Sequence, residues 1–159
     1  MKFFACVCML LLATAAFAKE GVRICETCID IDATINPTPA YQTIAGTTIG
    51  QPNSEYTYQF CAEQGGTYTF TFCHDGGSAT YDSGLSIQGP TDCGVYLACN
   101  DDWCSLQSEL VWTAPQHADY LIVVDGYSSN TGTYVLAYAG PECIVPAATS
   151  TWSTVKALY

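Results

Sequence analysis

Three closely spaced cysteines, Cys93, Cys99 and Cys104, constrain the fold of this chain more than any other feature of its sequence. They enclose an acidic pair, and two runs rich in valine, isoleucine, leucine and tyrosine follow at 119–125 and 132–138. Residues of these types are typical of β-strands. The combination predicts an all-β, disulfide-stapled β-sandwich of an extracellular protein and not an active site.

The N-terminus has the pattern of a secretory signal peptide. Lys2 precedes an apolar stretch, which ends in the small-residue sequence Ala16-Phe-Ala18. We therefore predict that residues 1–18 are removed. The apolar stretch is too short to span a membrane as a helix, so we expect a secreted, extracellular protein without membrane insertion.

Eight of the ten cysteines follow the predicted cleavage site. An even number in a secreted chain favours four disulfides over free thiols. The Cys25-x-x-Cys28 spacing could also indicate a redox pair or half of a zinc site. A redox motif belongs near a βαβ pattern, and a zinc site needs a second close pair of ligands. The sequence has neither, so we interpret these cysteines as structural.

The chain is strongly acidic, with a formal net charge of −11, and no lysine or arginine lies between Arg23 and Lys156. Nucleic acids, heparin-like polymers and anionic lipids are bound by clustered basic side chains, so we exclude them as partners. The acidic residues either keep the protein soluble or include a set that converges on calcium, which prefers oxygen ligands.

Two runs, at 56–60 and 68–72, alternate aromatic residues with other side chains, chiefly threonine. Gln64-Gly-Gly66 between them predicts a β-hairpin. We expect the aromatic residues on one face of the sheet. The threonines suit its more solvated face: Thr57, Thr67, Thr69 and Thr71.

Further strands are expected at short, regular spacing, and no part of the chain after the predicted signal peptide has helical periodicity. This pattern favours a sandwich or jelly roll. Leu121-Ile-Val-Val124 is continuously apolar and is predicted to be central. The expected strands lie near 84–88, 95–99, 108–113, 119–125 and 132–138.

The predicted organisation has three parts after the signal peptide. Residues 19–54 form one early strand, at 29–32, and a long irregular segment tied down by disulfides. Residues 55–140 form the sandwich, and residues 141–159 form a loose tail. This division is based on composition: the first part contains proline and glycine residues, and the tail is rich in alanine, serine and threonine.

Several segments of this sandwich region resemble the bacterial-type pre-peptidase C-terminal domain. They span from about residue 55 to residue 138, in the order of that family. The resemblance implies a jelly-roll β-sandwich with a non-catalytic accessory or binding role outside the cell, and some related modules bind calcium or matrix polymers. The segments are Tyr68-Thr-Phe-Thr-Phe-Cys73, Tyr81-Asp-Ser-Gly-Leu-Ser-Ile87, Leu97-Ala-Cys-Asn-Asp-Asp102, Leu106-Gln-Ser-Glu-Leu110, Tyr120-Leu-Ile-Val-Val-Asp-Gly-Tyr127 and Gly132-Thr-Tyr-Val-Leu136.

The resemblance, together with the short connection between two of the cysteines, implies the disulfides Cys93–Cys99 and Cys73–Cys104. The other cysteines have no place in the family pattern. We expect them to pair among themselves and to tie the N-terminal segment to the sandwich: Cys25, Cys28, Cys61 and Cys143.

Asn100, Asp101 and Asp102 lie in the loop that we expect these disulfides to fix. In a tight loop, two carboxylates and an amide oxygen can converge on one calcium ion. Asp82 and Asp125, which belong to segments that match the family, are candidates for additional ligands. The alternative is that asparagine and aspartate are present because they favour turns.

Trp103 follows the acidic pair, where burial would be awkward. Held on a rigid loop, it would offer a flat surface to a sugar ring or to an apolar side chain of a partner. We add Tyr96, Tyr127 and Asn130 to this candidate ligand-binding surface. In the alternative, Trp103 folds down over a disulfide or a sheet edge. Trp112 is expected to be a core or cross-strand residue.

The sequence thus predicts a secreted, non-catalytic module that recognises carbohydrate or protein outside the cell. Calcium binding by this module is a further hypothesis. The alternative is a self-assembling structural subunit of an extracellular coat, fibre or matrix. His74 and His117 lie in neither a nucleophile-elbow nor a metalloprotease motif, so we do not predict an enzyme.

Overall fold

The computed structural model describes residue 28, residues 30–90, residue 93 and residues 95–144. A 3₁₀ turn at Pro52–Ser54 accompanies ten strands. The strands are β1 (Ala33–Thr34), β2 (Gln42–Thr47), β3 (Tyr56–Ala62), β4 (Thr67–Thr71), β5 (Ser78–Ala79), β6 (Ser83–Gln88), β7 (Tyr96–Asn100), β8 (Glu109–Thr113), β9 (Ala118–Gly126) and β10 (Thr133–Ala139).

The strands form two sheets, which confirms the predicted β-sandwich. The first sheet has the order β1-β3-β9-β6-β7, and the second has the order β2-β10-β4-β8, with β5 paired to β10. The pairs are antiparallel except for β1 with β3. β9 lies in the middle of the first sheet, and Leu121–Val124 within it are at most 1% exposed. This agrees with the prediction of a central strand.

Aromatic side chains from both sheets fill the core. The Phe60 ring of β3 lies 5.0 Å from the Phe70 ring of β4, and Trp112 of β8 lies 4.7 Å from Tyr120 of β9. Phe60 and Phe70 are completely buried. Such edge-to-face pairs add to the free energy gained by burying apolar surface.

The hairpin predicted through Gln64-Gly-Gly66 is wrong, because β3 and β4 belong to different sheets. Their aromatic faces meet across the sandwich and not side by side. The connection between them crosses from one sheet to the other. It pairs instead with Ala114, since the Gly65 N–H donates to the Ala114 carbonyl and the Ala114 N–H donates to the Gly66 carbonyl, each at 2.9 Å.

Two of the threonines expected on a solvated face are buried. Thr57 and Thr71 are both 0% exposed, whereas Thr67 is exposed. The N-terminal segment covers Thr57, whose N–H donates to Asp32 Oδ2 at 2.7 Å. At Thr71, the hydroxyl accepts the Cys73 N–H at 2.9 Å from the loop that follows β4.

The segment before residue 55 is part of the sandwich. The first strand lies at Ala33–Thr34, after the predicted one, of which the described residues 30–32 are not in a strand. β2 lies in the stretch expected to be irregular. β2 pairs with β10 over six residue pairs. The residues before the boundary predicted at residue 55 therefore contribute a strand to the second sheet.

The disulfides correct one predicted pair and confirm another. Cys73–Cys104 forms as expected, and Cys61–Cys143 joins two members of the second cysteine set. Cys93 bonds to Cys28 and not to Cys99, so the Cys93–Cys99 prediction is wrong. Cys99 is disulfide-bonded as well, to none of the other described cysteines.

The packing of the first sheet explains this correction. Cys99 lies within β7, opposite Ser86, whereas Cys93 precedes the strand. Cys28 and Cys93 pack on Leu121 and Val123, whose side chains leave β9 on the face away from the core. The N-terminal segment covers this face, so Cys93 meets Cys28 there.

The predicted signal peptide, Cys25 and most of the predicted tail lie outside the described residues. Among the residues that are described, no helix is long and apolar enough to cross a membrane.

Candidate functional site

The loop between β7 and β8 carries the predicted acidic residues and Trp103, and a buried serine holds it in place. Ser108 is 0% exposed, and its hydroxyl lies 2.6 Å from the Asp101 carbonyl and 2.5 Å from the Ser83 carbonyl. Within the loop, the Cys104 N–H donates to the Gln107 carbonyl at 3.0 Å. Together with the disulfide to Cys73, these contacts fix the loop against the start of β6.

Two oxygen atoms beside this loop are buried and lack a hydrogen bond. They are Oδ1 of Asp82, just before β6, and Oδ1 of Asn100, the last residue of β7; neither has a donor among the described residues. A buried acceptor without a donor costs about 1–3 kcal/mol. The arrangement therefore favours a positively charged group at these oxygens.

The charges around Asp82 support this interpretation. Burial raises the pKa of the Asp82 carboxyl, and the charges of Asp102 and Asp101 raise it further. Three of the predicted calcium ligands, Asp82, Asp101 and Asp102, are thus close enough for their charges to interact. Asn100 immediately precedes Asp101 in the chain. Carboxylate and amide oxygens are the donors that calcium prefers, so this set fits a calcium ion chemically.

The set is not a tightly preformed cage. In the described part of the chain, the group of three histidine, cysteine or acidic residues whose ligand atoms lie within 4.8 Å of one another is Cys61, His117 and Cys143. Asp82, Asp101 and Asp102 do not form such a group among the described residues. A calcium ion would have to draw them together.

Asp125, the fifth predicted ligand, faces a different neighbour. Its Oδ1 accepts the Gly126 N–H at 2.6 Å. The pKa of the Tyr81 phenol is raised chiefly by burial and in part by the charge of Asp125. In the ladder between β6 and β9, Asp125 pairs with Gly84, two residues after Asp82, so Asp125 stays a predicted ligand.

Trp103 is exposed, in agreement with the first of the two alternatives considered for it. Its side chain is 64% exposed. It lines a cavity of about 190 Å³, together with Asn100 and residues of β8. Glu109 contributes a carboxylate to this cavity, and Val111 an apolar wall.

Six of the ten large apolar side chains that are exposed in the described part of the chain lie between Val95 and Val111. They lie on β7, on β8, or on the connections next to these strands. Monomeric proteins rarely leave a concentrated apolar patch exposed without a function. We call this set the β7–β8 surface: Val95, Tyr96, Leu97, Trp103, Leu106 and Val111.

The position of the β7–β8 surface follows from the sheet order. β7 is the edge strand of the first sheet, β8 is the edge strand of the second, and the two adjoin. Edge strands offer unpaired backbone groups to a partner. Tyr96 is 38% exposed on this edge, as its inclusion in the candidate surface requires.

The turn after β9 contacts the acidic region. The Tyr127 N–H donates to the Asp82 carbonyl at 2.9 Å, and the Asn130 N–H donates to the Tyr127 carbonyl at 3.1 Å. Tyr127 is half-buried, whereas Asn130 is exposed. The structure therefore places Tyr127 beside Asp82, with Asn130 in the same turn.

A histidine that the sequence reasoning did not assign to the site lies next to it. His74 contacts Asp75 through Nδ1 and Glu109 through Nε2. The hydrogen bond to Asp75 raises the pKa of His74, and the bond to Glu109 adds to this effect. Both ring nitrogens are thus occupied by carboxylates, and neither is left to act as a base. The sequence shows that Asp75 follows His74, but it gives no sign of the contact between His74 and Glu109, which lie 35 residues apart.

No family model and no curated protein matches this chain. Solved structures resemble its fold. The pre-peptidase C-terminal domain of a Bacillus anthracis collagenase matches with a TM-score of 0.51 and 18% identity, covering 70% of this chain and 99% of that domain.

Two lysozyme inhibitors also match, at lower similarity. PliG of Aeromonas hydrophila, a periplasmic inhibitor of g-type lysozyme, has a TM-score of 0.45 and 17% identity, covering 68% of this chain and 98% of its own. PliG of Salmonella Typhimurium has a TM-score of 0.41 and 13% identity, covering 70% and 99%. The fold is thus like that of the pre-peptidase C-terminal domain.

Proposed function

We propose that this protein is a non-catalytic binding module that works outside the cytosol and recognises a protein through the β7–β8 surface. The observation that carries the proposal is that this surface holds six of the ten exposed large apolar side chains among the described residues, Trp103 included. Aromatic residues are enriched at protein interfaces, and tryptophan is frequent among the residues that dominate binding energy. The disulfides support a location where thiols are oxidised.

The charges around this surface favour a partner with a basic surface. Glu109 lines the cavity beside Trp103, and Asp101 and Asp102 precede Trp103 in the loop. The whole chain has a net charge of −11. A long-range negative field of this kind speeds association with a basic partner and weakens as salt is added.

We further propose that the acidic region binds calcium through Asp82, Asn100, Asp101 and Asp102. The two buried oxygens without donors support this assignment, as does the raised pKa of Asp82. A cation would remove the repulsion between the carboxylates and would hold the loop that presents Trp103. Calcium would therefore strengthen partner binding without contacting the partner.

Arrays of extracellular proteins and of glycans, probed with the oxidised chain, test the proposed function. Trp103→Ala is the test variant, and Ile49→Ala is the matched control because Ile49 is 59% exposed and follows β2, at the opposite edge of the second sheet from β8. We expect hits on the protein array whose affinity falls at least tenfold with Trp103→Ala and stays unchanged with Ile49→Ala. Salt should weaken the same hits.

Two results would overturn the proposal. Hits confined to the glycan array would make carbohydrate the ligand class. Protein hits that survive Trp103→Ala unchanged would show that the β7–β8 surface does not bind the partner.

The second candidate function is that of a self-assembling subunit. It would use the same surface, because β7 and β8 are both edge strands and edge strands can pair with another chain. A mass that rises with concentration in light scattering would favour it.

A further inference from the structure

A second cluster of metal-binding side chains lies at the C-terminal end of β3. The ligand atoms of Cys61, His117 and Cys143 all lie within 4.8 Å of one another. Two sulfurs and one imidazole are a donor set that suits zinc, which takes four ligands in a tetrahedral arrangement. In the structure the two sulfurs are joined in a disulfide, so they are not available as thiolates.

Contacts that do not depend on the disulfide hold the three residues together. Cys61 pairs with Asp119 in the ladder between β3 and β9, and His117 immediately precedes β9. The segment that carries Cys143 is fixed by the Ile144 N–H, which donates to Glu63 Oε1 at 2.6 Å. Opening the disulfide would therefore leave the two thiols close to each other and to the imidazole.

Glu63 also orients the imidazole. Its Oε2 lies 3.1 Å from Nδ1 of His117. Histidines that bind metals commonly donate their other ring N–H to a carboxylate, which fixes the ring and its tautomer. With Nδ1 bonded to Glu63, Nε2 is the nitrogen left for a metal.

A cavity gives access to the sulfurs and room for a fourth ligand. It has a volume of about 300 Å³ and is lined by Cys61, Cys143, Asn36, Thr38 and Glu142, among others. Either a water molecule or the Glu142 carboxylate can complete the coordination of a zinc ion from this side. The cluster thus has ligands, a supporting carboxylate and an entrance.

We propose that Cys61, Cys143 and His117 form a zinc site that opens when the Cys61–Cys143 disulfide is reduced. A thiol reductant supplies two electrons and two protons, which convert the disulfide to two thiols while the reductant is oxidised to its own disulfide. Zinc then displaces one proton from each thiol, and two zinc–sulfur bonds form. Because zinc binds the reduced form alone, it makes this disulfide easier to reduce.

The test uses the full oxidised chain in a series of glutathione redox buffers, with and without zinc. The open fraction of each disulfide is measured by alkylation and peptide mapping. Zinc should increase the ratio of open to closed Cys61–Cys143 at least tenfold and should leave Cys73–Cys104 unchanged. Cobalt, added in place of zinc, should give the absorption of thiolate ligands in a tetrahedral site.

Variants separate the zinc site from a general effect on folding. His117→Ala should abolish the effect of zinc on Cys61–Cys143, and His74→Ala, the matched control, should keep it. Both histidines are 46% exposed, so neither substitution empties a core position. The proposal is overturned if zinc leaves Cys61–Cys143 unchanged, if it opens both disulfides equally, or if His117→Ala retains the effect.

Discussion

The phenol oxygens of Tyr58 and Tyr134 lie 2.8 Å apart and form a hydrogen bond across the interior of the sandwich. Tyr58 belongs to β3 of the first sheet and Tyr134 to β10 of the second, and they are 1% and 3% exposed. One phenol donates and the other accepts. The buried hydroxyl of each sheet thus has its hydrogen-bond partner in the other sheet. A purely apolar core would need no such partner.

Tyr58→Phe should destabilise the protein by about 1–3 kcal/mol, because it leaves the Tyr134 hydroxyl buried without its partner. Adding Tyr134→Phe should cost less than the sum of the two single changes, since it removes the unsatisfied hydroxyl. Chemical denaturation of the single and double variants measures both effects. Tyr41→Phe, at an exposed tyrosine, is the control and should be neutral. Additive losses would contradict the coupling.

The same pair predicts a loss of stability in alkali. Burial raises the pKa of Tyr58 to about 12, from an ordinary value of 10.0. A raised pKa means that the fold favours the neutral phenol. This contribution is complete below the ordinary pKa and is lost as the pH rises through the folded pKa. The free energy of unfolding, measured across pH 9–12, should therefore fall, and it should fall less steeply in Tyr58→Phe. Equal slopes would contradict this account.

Asp82→Asn should stabilise the calcium-free protein at neutral pH. The pKa of Asp82 is raised, so the fold favours its protonated form, and the stabilisation is lost as the pH rises through that pKa. An amide removes the buried charge. Thermal unfolding in EDTA should show a higher midpoint for the variant, and calcium should raise the midpoint of the natural chain but not that of Asp82→Asn. A lower midpoint in EDTA would reverse the assignment.

Loss of the Cys73–Cys104 disulfide should lower stability and loosen the loop that presents Trp103. The two cysteines are 31 residues apart. A cross-link of this span stabilises by about 3–4 kcal/mol in the chain-entropy model. Denaturation of Cys73→Ser/Cys104→Ser should show this loss, and hydrogen exchange should increase at 101–107. Unchanged exchange would show that Ser108 alone holds the loop.

The strands after residue 80 were predictable because their signal is local. Alternation and turn residues place β6 to β10 within about two residues of their observed bounds, and the continuous run Leu121–Val124 identifies the central strand. Trp112 is half-buried, packs against the core beside Tyr120 and pairs across the strands with Tyr68, as expected of a core or cross-strand residue. These features depend on periodicity within a single strand.

The errors concern relations between distant segments. Alternating aromatics are the same whether β3 and β4 pair in one sheet or face each other across two, and Gln64-Gly-Gly66 suits either connection. The Cys93–Cys99 prediction failed because sequence proximity cannot reveal that the N-terminal segment brings Cys28 over the outer face of β9.

The candidate site, like the fold, was predictable only where its residues are neighbours in the sequence. Trp103 and the acidic loop were visible in the sequence because they are contiguous. Glu109, His74 and the exposed Val111 reach the same edge of the sandwich only through the pairing of β4 with β8. Their spacing along the chain gives no signal of this meeting.

Site-specific photo-crosslinking tests the proposed binding surface most directly. A photoreactive phenylalanine analogue is placed at Val111, in the β7–β8 surface, or at Ile49, which follows β2 at the opposite edge of the second sheet; both side chains are exposed. The account predicts that the analogue at position 111 cross-links the protein partner found on the array, and that the analogue at position 49 does not. Cross-linking from position 49 with none from position 111 would contradict it.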